Sequence, residues 1–363
     1  MVLDDTLLDD PARLNEADGA GLLRACAMAG AQVRATIEAA AELGLSERLD
    51  IGRPRSLVLV IRPGVSRSAA LLLNALLAHS SPVPVVLADA VPPWIGALDV
   101  VLAHTDDPYD MDLAASLERA ARYGATVVLS APPDGPVASS IAGRGLLIAP
   151  RVLVAPELAF ARALTAGLLT ANTLGLLVAD VDGLADRLDN EAERGHPAHE
   201  SFVNPAKALA LRIADHTPLL WGLDQAAVAV GHHGAYALGA HAAMVCDVAD
   251  YRQAMARPAL HRVAAENAGN RNIFADPDDS PAEAPPPRVL LLAVRTGPAT
   301  DSARYRASEL LPSADLLAPS DEIDADDAGC AAVLALRFEL AAVYLGLAAG
   351  TIGGAGRFAP ATA

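Results

Sequence analysis

"LDVVLAHTDDPYDMDLAASLERAARYGATVVLS", residues 98–130, holds the smallest unit from which the fold can be read. Residues 98–103 and 126–130 are mostly apolar runs. Between them, residues 109–123 carry apolar side chains at helical spacing. Neither run alternates apolar with polar residues, which is the pattern of a strand covered on both faces. Strands of that kind, joined through a helix, lie parallel in one sheet.

Working outward, the same pattern recurs. Residues 57–61, 83–88 and 146–149 read as further strands, and 68–78 as a helix. Residues 156–178 read as a long apolar helix. A second set follows, with strands at 218–221, 244–248, 289–294 and 315–317 and helices at 225–243, 302–311 and 327–349. The fold class is therefore α/β, as two three-layer α/β/α sandwiches with parallel sheets. The expected division is a helical arm at 1–50, a first domain at 51–181, a linker at 182–204 and a second domain at 205–363. The Pro- and Asp-rich stretch at 267–287 is expected to be a mobile surface insertion.

Bulk properties remove whole classes of function. A net charge of −17 repels nucleic acid and anionic lipid, so neither is an expected partner. Lys207 is the sole lysine, so no mechanism that needs two is open to the chain. Cys26, Cys246 and Cys330 are scattered and form no CxxC, which argues for a reducing compartment and against a disulfide framework and a zinc ribbon. The acidic start, MVLDDTLLDD, lacks the apolar core of a signal peptide. The long apolar segments are interrupted by Arg162 in one and by Arg337 and Glu339 in the other, so they read as buried helices. A cytoplasmic protein is expected. No P-loop is present, and no helix-turn-helix precedes the first strand.

Two short runs are more specific. "NPAKALALRI" (204–213) precedes the first strand of the second half, and "APRVLVAPELAF" (149–160) opens the long helix after the first sheet. With the helical arm and the C-terminal "FELAAVYLGLAAG", they resemble the tandem sugar-isomerase (SIS) proteins. More narrowly, the chain resembles the bifunctional phosphoglucose/phosphomannose isomerases. The resemblance implies a sugar phosphate or related carbohydrate derivative as ligand, no cofactor or metal, and a homodimer. It also implies aldose–ketose isomerisation between glucose or mannose 6-phosphate and fructose 6-phosphate, by proton transfer through an enediol.

Carried over residue by residue, the resemblance is uneven. Gly64 and Ser66 in "RPGVSRSAA" match the first phosphate loop, and Arg151 matches an arginine near the sugar. The second loop matches poorly. Where the family has Ser-x-Ser-Gly-Asn-Thr, this chain has Ala103, Thr105, Asp106-Asp107 and Pro108, so Thr105 is the one hydroxyl kept. Two unit charges about 4 Å apart repel by roughly 4 kcal/mol at an effective dielectric near 20, so inward carboxylates here oppose a phosphate dianion. A metal bridging Asp106, Asp107 and Asp110 and a solvated, capping acidic loop are the two readings, and the second is favoured.

The family's catalytic glutamate falls on Leu238, its lysine near the C-terminus has no match, and neither does its histidine. The helix at 225–243 offers His232, His233 and His241 instead. His233 and His241 are eight residues apart, on one helical face, and are the candidate bases. His196, His199 and Glu200 stand nearby in sequence, and Asn204 and Lys207 are expected to lock the domain junction. Two functions remain: an isomerase with a replaced base, or a catalytically degenerate relative that binds sugar phosphates or serves as a scaffold or regulator.

Overall fold

The structure, a computed structural model, describes residues 3–266 and 285–353. The expected insertion at 267–287 lies outside the described residues apart from its last three positions, of which Pro287 begins a strand. The chain forms two compact units, Ala27–Asn190 and Met1–Cys26 with Glu191–Ala363.

The first unit is built on β1 (Ser56–Val60), β2 (Val85–Ala88), β3 (Asp99–His104), β4 (Thr126–Ser130) and β5 (Leu146–Ile148). Their order is β2-β1-β3-β4-β5, and every neighbouring pair is parallel. Every residue of β1 and β3 is buried, as the apolar runs at their centres require, and so are the polar Ser56, Asp99 and His104 at their ends. Register sorts these residues onto two faces. Val58, Val101 and Val127 lie side by side and pack with Leu113, Leu117, Val137 and Ile141, under helices Met111–Arg122 and Gly135–Ser140. Leu59 and Leu102 point the other way, towards helices Val65–Leu77 and Phe160–Thr173. Gly167 allows those two helices to meet, since a Cβ there would stand 2.8 Å from Leu73 Cδ2.

The apolar stretch at 156–178 is shorter as a helix than expected. Pro156–Leu158 is a 3-10 turn, and the α-helix ends at Thr173, before Gly175 at φ 66°. The expected arm is divided at Cys26, because Ala29–Glu42 belongs to the first unit, where Gln32 Nε2 donates to Leu158 O at 3.0 Å. The expected linker is also corrected in part. Val181–Arg194 is an amphipathic helix whose Val181, Leu184, Ala185 and Leu188 are buried, the i, i+3, i+4, i+7 stripe of a packed helix.

The second unit carries β6 (Thr217–Gly222), β7 (Asp247–Asp250), β8 (Pro287–Leu292) and β9 (Asp315–Leu317), in the order β7-β6-β8-β9 and all parallel. Leu219, Trp221, Val289 and Leu291 pack with Tyr251, Ala254, Ala264, Ala307 and Leu311 on one face. Helix Gln225–Ala242 lies on the other, with Gly231 against Leu220, Val248 and Leu292, and helix Asp327–Ala349 packs on that helix. Their close approach is set by Gly234, where a Cβ would meet the Phe338 ring at 2.9 Å. β7 begins later than its apolar run suggests, because Met244 N–H returns to Leu238 O to finish the preceding helix. Helix Asp327–Ala349 is long and apolar enough to cross a membrane, but its apolar window is wholly buried in the fold.

Candidate functional site

In an open parallel sheet, ligands bind outside the carboxyl ends of the strands, where the strand order reverses. In the first unit that point lies between β1 and β3, so the loops at 61–65 and 105–110 form its rim. Gly64 (φ 81°) turns the first loop into helix Val65–Leu77. Ser66 is buried, and its Oγ accepts from Arg62 N–H at 3.1 Å. Arg62 Nε in turn donates to Asp110 Oδ2 at 2.6 Å, on the opposite loop. Asp110 Oδ1 caps helix Met111–Arg122 by accepting from Leu113 N–H at 3.0 Å. A carboxylate thus sits at the helix N-terminus, the position where an anionic ligand is best held.

The rest of the acidic loop is equally committed. Thr105 is buried, and its Oγ1 accepts from Asp107 N–H at 3.1 Å. Asp107 Oδ1 accepts from Tyr109 N–H at 2.8 Å. Asp106 turns inward, paired with buried Arg162 through Oδ1 and with His104 Nε2 at 3.2 Å through Oδ2. His104 Nδ1 lies 3.0 Å from Ser130 Oγ, which is consistent with a neutral imidazole that donates to Asp106 and accepts from the serine. Burial pushes the His104 imidazole below its ordinary value, against the pull of Asp106. Burial also works to raise the Asp106 carboxyl, but His104 and Arg162 outweigh it and hold the group below the usual carboxylate range. Ser130, His104 and Asp106 are the residue types of a hydrolytic triad, yet Ser130 is fully buried and no carbonyl substrate reaches it.

Space agrees with this wiring. A cavity of about 20 Å³ lies behind the loops, lined by Ser66, Leu73, His104 and Gly167 among others. It has room for about one water and none for a hexose phosphate. A depression of about 480 Å³ lies elsewhere in the unit, between helices Met111–Arg122 and Gly135–Ser140, with Met111, Glu118 and Arg144 on its walls.

In the second unit the reversal falls between β6 and β8. Asp224 stands at the end of β6. Its Oδ1 accepts from Ala227 N–H at 2.9 Å and caps helix Gln225–Ala242. Its Oδ2 accepts from Val294 N–H at 2.9 Å and Arg295 N–H at 3.1 Å, on the loop after β8. Arg295 Nε is 3.4 Å from Asp327 Oδ2.

The candidate bases lie along helix Gln225–Ala242, past its capped first turn. His233 is fully buried, and its Nε2 is 3.0 Å from Glu339 Oε1 in the middle of helix Asp327–Ala349. His241 shares that face and is buried near the end of its helix, where Thr351 Oγ1 donates to its carbonyl at 2.7 Å. Leu238 is also fully buried. Arg151 is half-exposed and pairs with Glu42, one bond being 3.0 Å, so here it holds helix Ala29–Glu42. Asn204 and Lys207 act within the second unit. Asn204 caps helix Pro205–Ile213, and buried Lys207 Nζ donates to Pro197 O at 2.8 Å and His199 O at 2.6 Å. Burial lowers the Lys207 ammonium and pushes the Cys246 thiol up to about 12. Among the described residues, no group of three or more His, Cys, Asp or Glu side chains is placed to hold a metal ion.

Sequence reasoning missed three of the decisive groups: His104, Asp224 and the partner role of Arg162. Arg162 alone carried a signal, as a lone charge in an apolar helix.

No protein-family model and no curated protein matches the chain. Solved structures do match. A candidate phosphosugar isomerase from Silicibacter pomeroyi DSS-3 aligns over 92% of this chain and 98% of its own, at 16% identity and TM-score 0.64. The C-terminal domain of glucosamine-fructose-6-phosphate aminotransferase from Francisella tularensis aligns over 91% and 96%, at 11% identity and TM-score 0.62. Glucosamine-6-phosphate deaminase from Thermotoga maritima aligns over 89% and 95%, at 9% identity and TM-score 0.55. The chain shares the fold of these proteins, two α/β units each built on a parallel sheet.

Proposed function

We propose that the chain is a divergent relative of the phosphoglucose/phosphomannose isomerases that has lost aldose–ketose chemistry and works as a scaffold or regulator in carbohydrate metabolism. The observation that carries this is the first crevice. Its arginines, hydroxyls and carboxylates, which a phosphosugar would need free, are bonded to one another, with Arg162 and Arg62 neutralised by Asp106 and Asp110. The proposed bases point the same way. A general base must reach the substrate proton, and His233 is sealed against Glu339.

The test is direct. Purified protein is mixed with mannose 6-phosphate, and fructose 6-phosphate is followed through a coupled dehydrogenase. The expected result is no turnover above background and no melting shift with either hexose phosphate. Turnover that falls in a His233→Ala variant would restore the isomerase reading. A melting shift without turnover would favour a sugar-phosphate-binding protein.

A further inference from the structure

The amino ends of β1, β3 and β4 lie side by side, at the end of the first sheet opposite its switch point. The loop that enters β3, residues 91–98, is tied down along its length. Val91 N–H donates to Ser116 Oγ at 2.7 Å, and Val91 O accepts from Arg119 Nη2 at 2.9 Å. Trp94 O accepts from Arg55 Nη2 at 3.1 Å, and Leu98 O accepts from Arg55 N–H at 2.7 Å. Asp99 anchors the whole. It is fully buried and accepts from Gly96 N–H and Ser56 Oγ, each at 2.8 Å, and from Arg55 Nε at 2.9 Å.

This firmly held loop turns large apolar side chains to water. Leu98 is 69% exposed and Trp94 48%, and beside them stand Tyr123 at 58% and Ile51 at 42%. The group is contiguous. Arg55 Cζ lies 5.7 Å from the centre of the Trp94 ring, and a Cβ at Gly124 would stand 3.3 Å from Ala97 Cβ, so Tyr123 adjoins the loop next to Leu98. Single exposed apolar residues are ordinary, whereas a rigid cluster of large ones marks an interface. Aromatic residues are only 4% of this chain, yet one of its two tryptophans stands here. Around the cluster Arg53, Arg55 and Arg122 are exposed, and so is Asp50.

Charge and area say what covers it. A net charge of −17 repels a second copy of the chain over most of its surface, and the three arginines cancel that field here. The rim carries both signs, Asp50 as well as Arg53 and Arg122, so the patch can complement itself across a two-fold axis. On ordinary side-chain areas the four apolar residues leave roughly 500 Å² exposed, so two copies would bury about 1,000 Å² from them alone, the least a specific interface needs. We propose that the amino-end face of the first sheet docks a second copy of this chain, with Trp94, Leu98 and Tyr123 at the centre of the contact. This goes beyond the proposed function and holds whether or not the chain is catalytic.

Trp94 is its own reporter, because the other tryptophan, Trp221, is fully buried. The full-length protein is diluted from about 100 μM to about 1 μM at about 0.3 M salt, which screens the repulsion between copies, and mass by sedimentation and tryptophan emission are read together. The wild type is expected to be a dimer at the higher concentration, with emission at shorter wavelength than in the diluted monomer because Trp94 has left water. Leu98→Asp changes an exposed side chain and sets two carboxylates against each other across the contact. It is expected to weaken the dimer by about tenfold or more. Tyr123→Ser is the second variant, with a weakening in the same direction. Two results would overturn the inference. One is a wild type that stays monomeric throughout, which would leave the face to a different protein. The other is a dimer that forms without a change in Trp94 emission or that both variants leave intact, which would put the contact elsewhere.

Discussion

The two switch points are bridged by different kinds of bond. In the first, side chain meets side chain: Arg62 with Asp110, and Arg162 and His104 with Asp106. In the second, one carboxylate meets backbone N–H groups. A side-chain pair needs two matching residues, and losing either leaves the other stranded. A carboxylate on backbone donors needs only itself. The first crevice should therefore be the more fragile to single substitutions, and the second should depend on one residue.

The largest effect should come from Arg162→Ala, which takes the cation from the mostly buried Asp106 carboxylate and leaves it His104. We expect a loss of about 3 kcal/mol, read as a lower urea midpoint at unchanged slope. An effect well under that would mean Asp106 simply swings into solvent, and the contrast between the crevices would weaken. Asp224→Asn should rank next. It loses charge-assisted bonds and sets an amide N–H against backbone donors, at about 2 kcal/mol. Asp110→Asn should cost about 1 kcal/mol, since asparagine still caps the helix and only the pairing with Arg62 is lost.

The smallest effect is in pH dependence, and it sharpens the same comparison through His104 and Asp106 of the first crevice. The folded-state value of His104 lies below 6.5. Below that pH the unfolded chain binds more protons than the folded one, so stability falls as pH drops through 6.5. Asp106 is held below 3.8, so its contribution is intact above that value and is lost only as pH falls further, through the folded value. His104→Asn should flatten the first fall in melting temperature, between pH 7 and 5, and also shrink the acid limb, because His104 helps to hold the Asp106 carboxyl down. An unchanged slope from pH 7 to 5 would remove His104 as its source.

The strands and their parallel pairing were legible because a strand buried on both faces has to be an unbroken apolar run at its centre, and β1, β3 and β4 are. Boundaries slipped where local chemistry overrode hydrophobicity, as at Gly175 after the long apolar helix and at Met244 before β7. The site was legible in part. Capping by Asp110 follows from sequence, because a cap is a local bond. The pairing of Arg162 with Asp106 spans 56 residues and that of Asp224 with Val294 spans 70, and no local pattern encodes such a distance. His233 and His241 are both buried in the structure. The clue was Glu339, a charge in an apolar helix that has to find a buried partner.

The central claim, a preserved double sandwich with its chemistry gone, is tested most directly at the substrate proton. Mannose 6-phosphate is incubated with the wild-type protein in deuterium oxide, and the C2 proton is followed by NMR. Enediol chemistry exchanges that proton with solvent even when product stays bound. We predict no exchange above buffer alone. Protein-dependent exchange that disappears in His233→Ala would contradict the account.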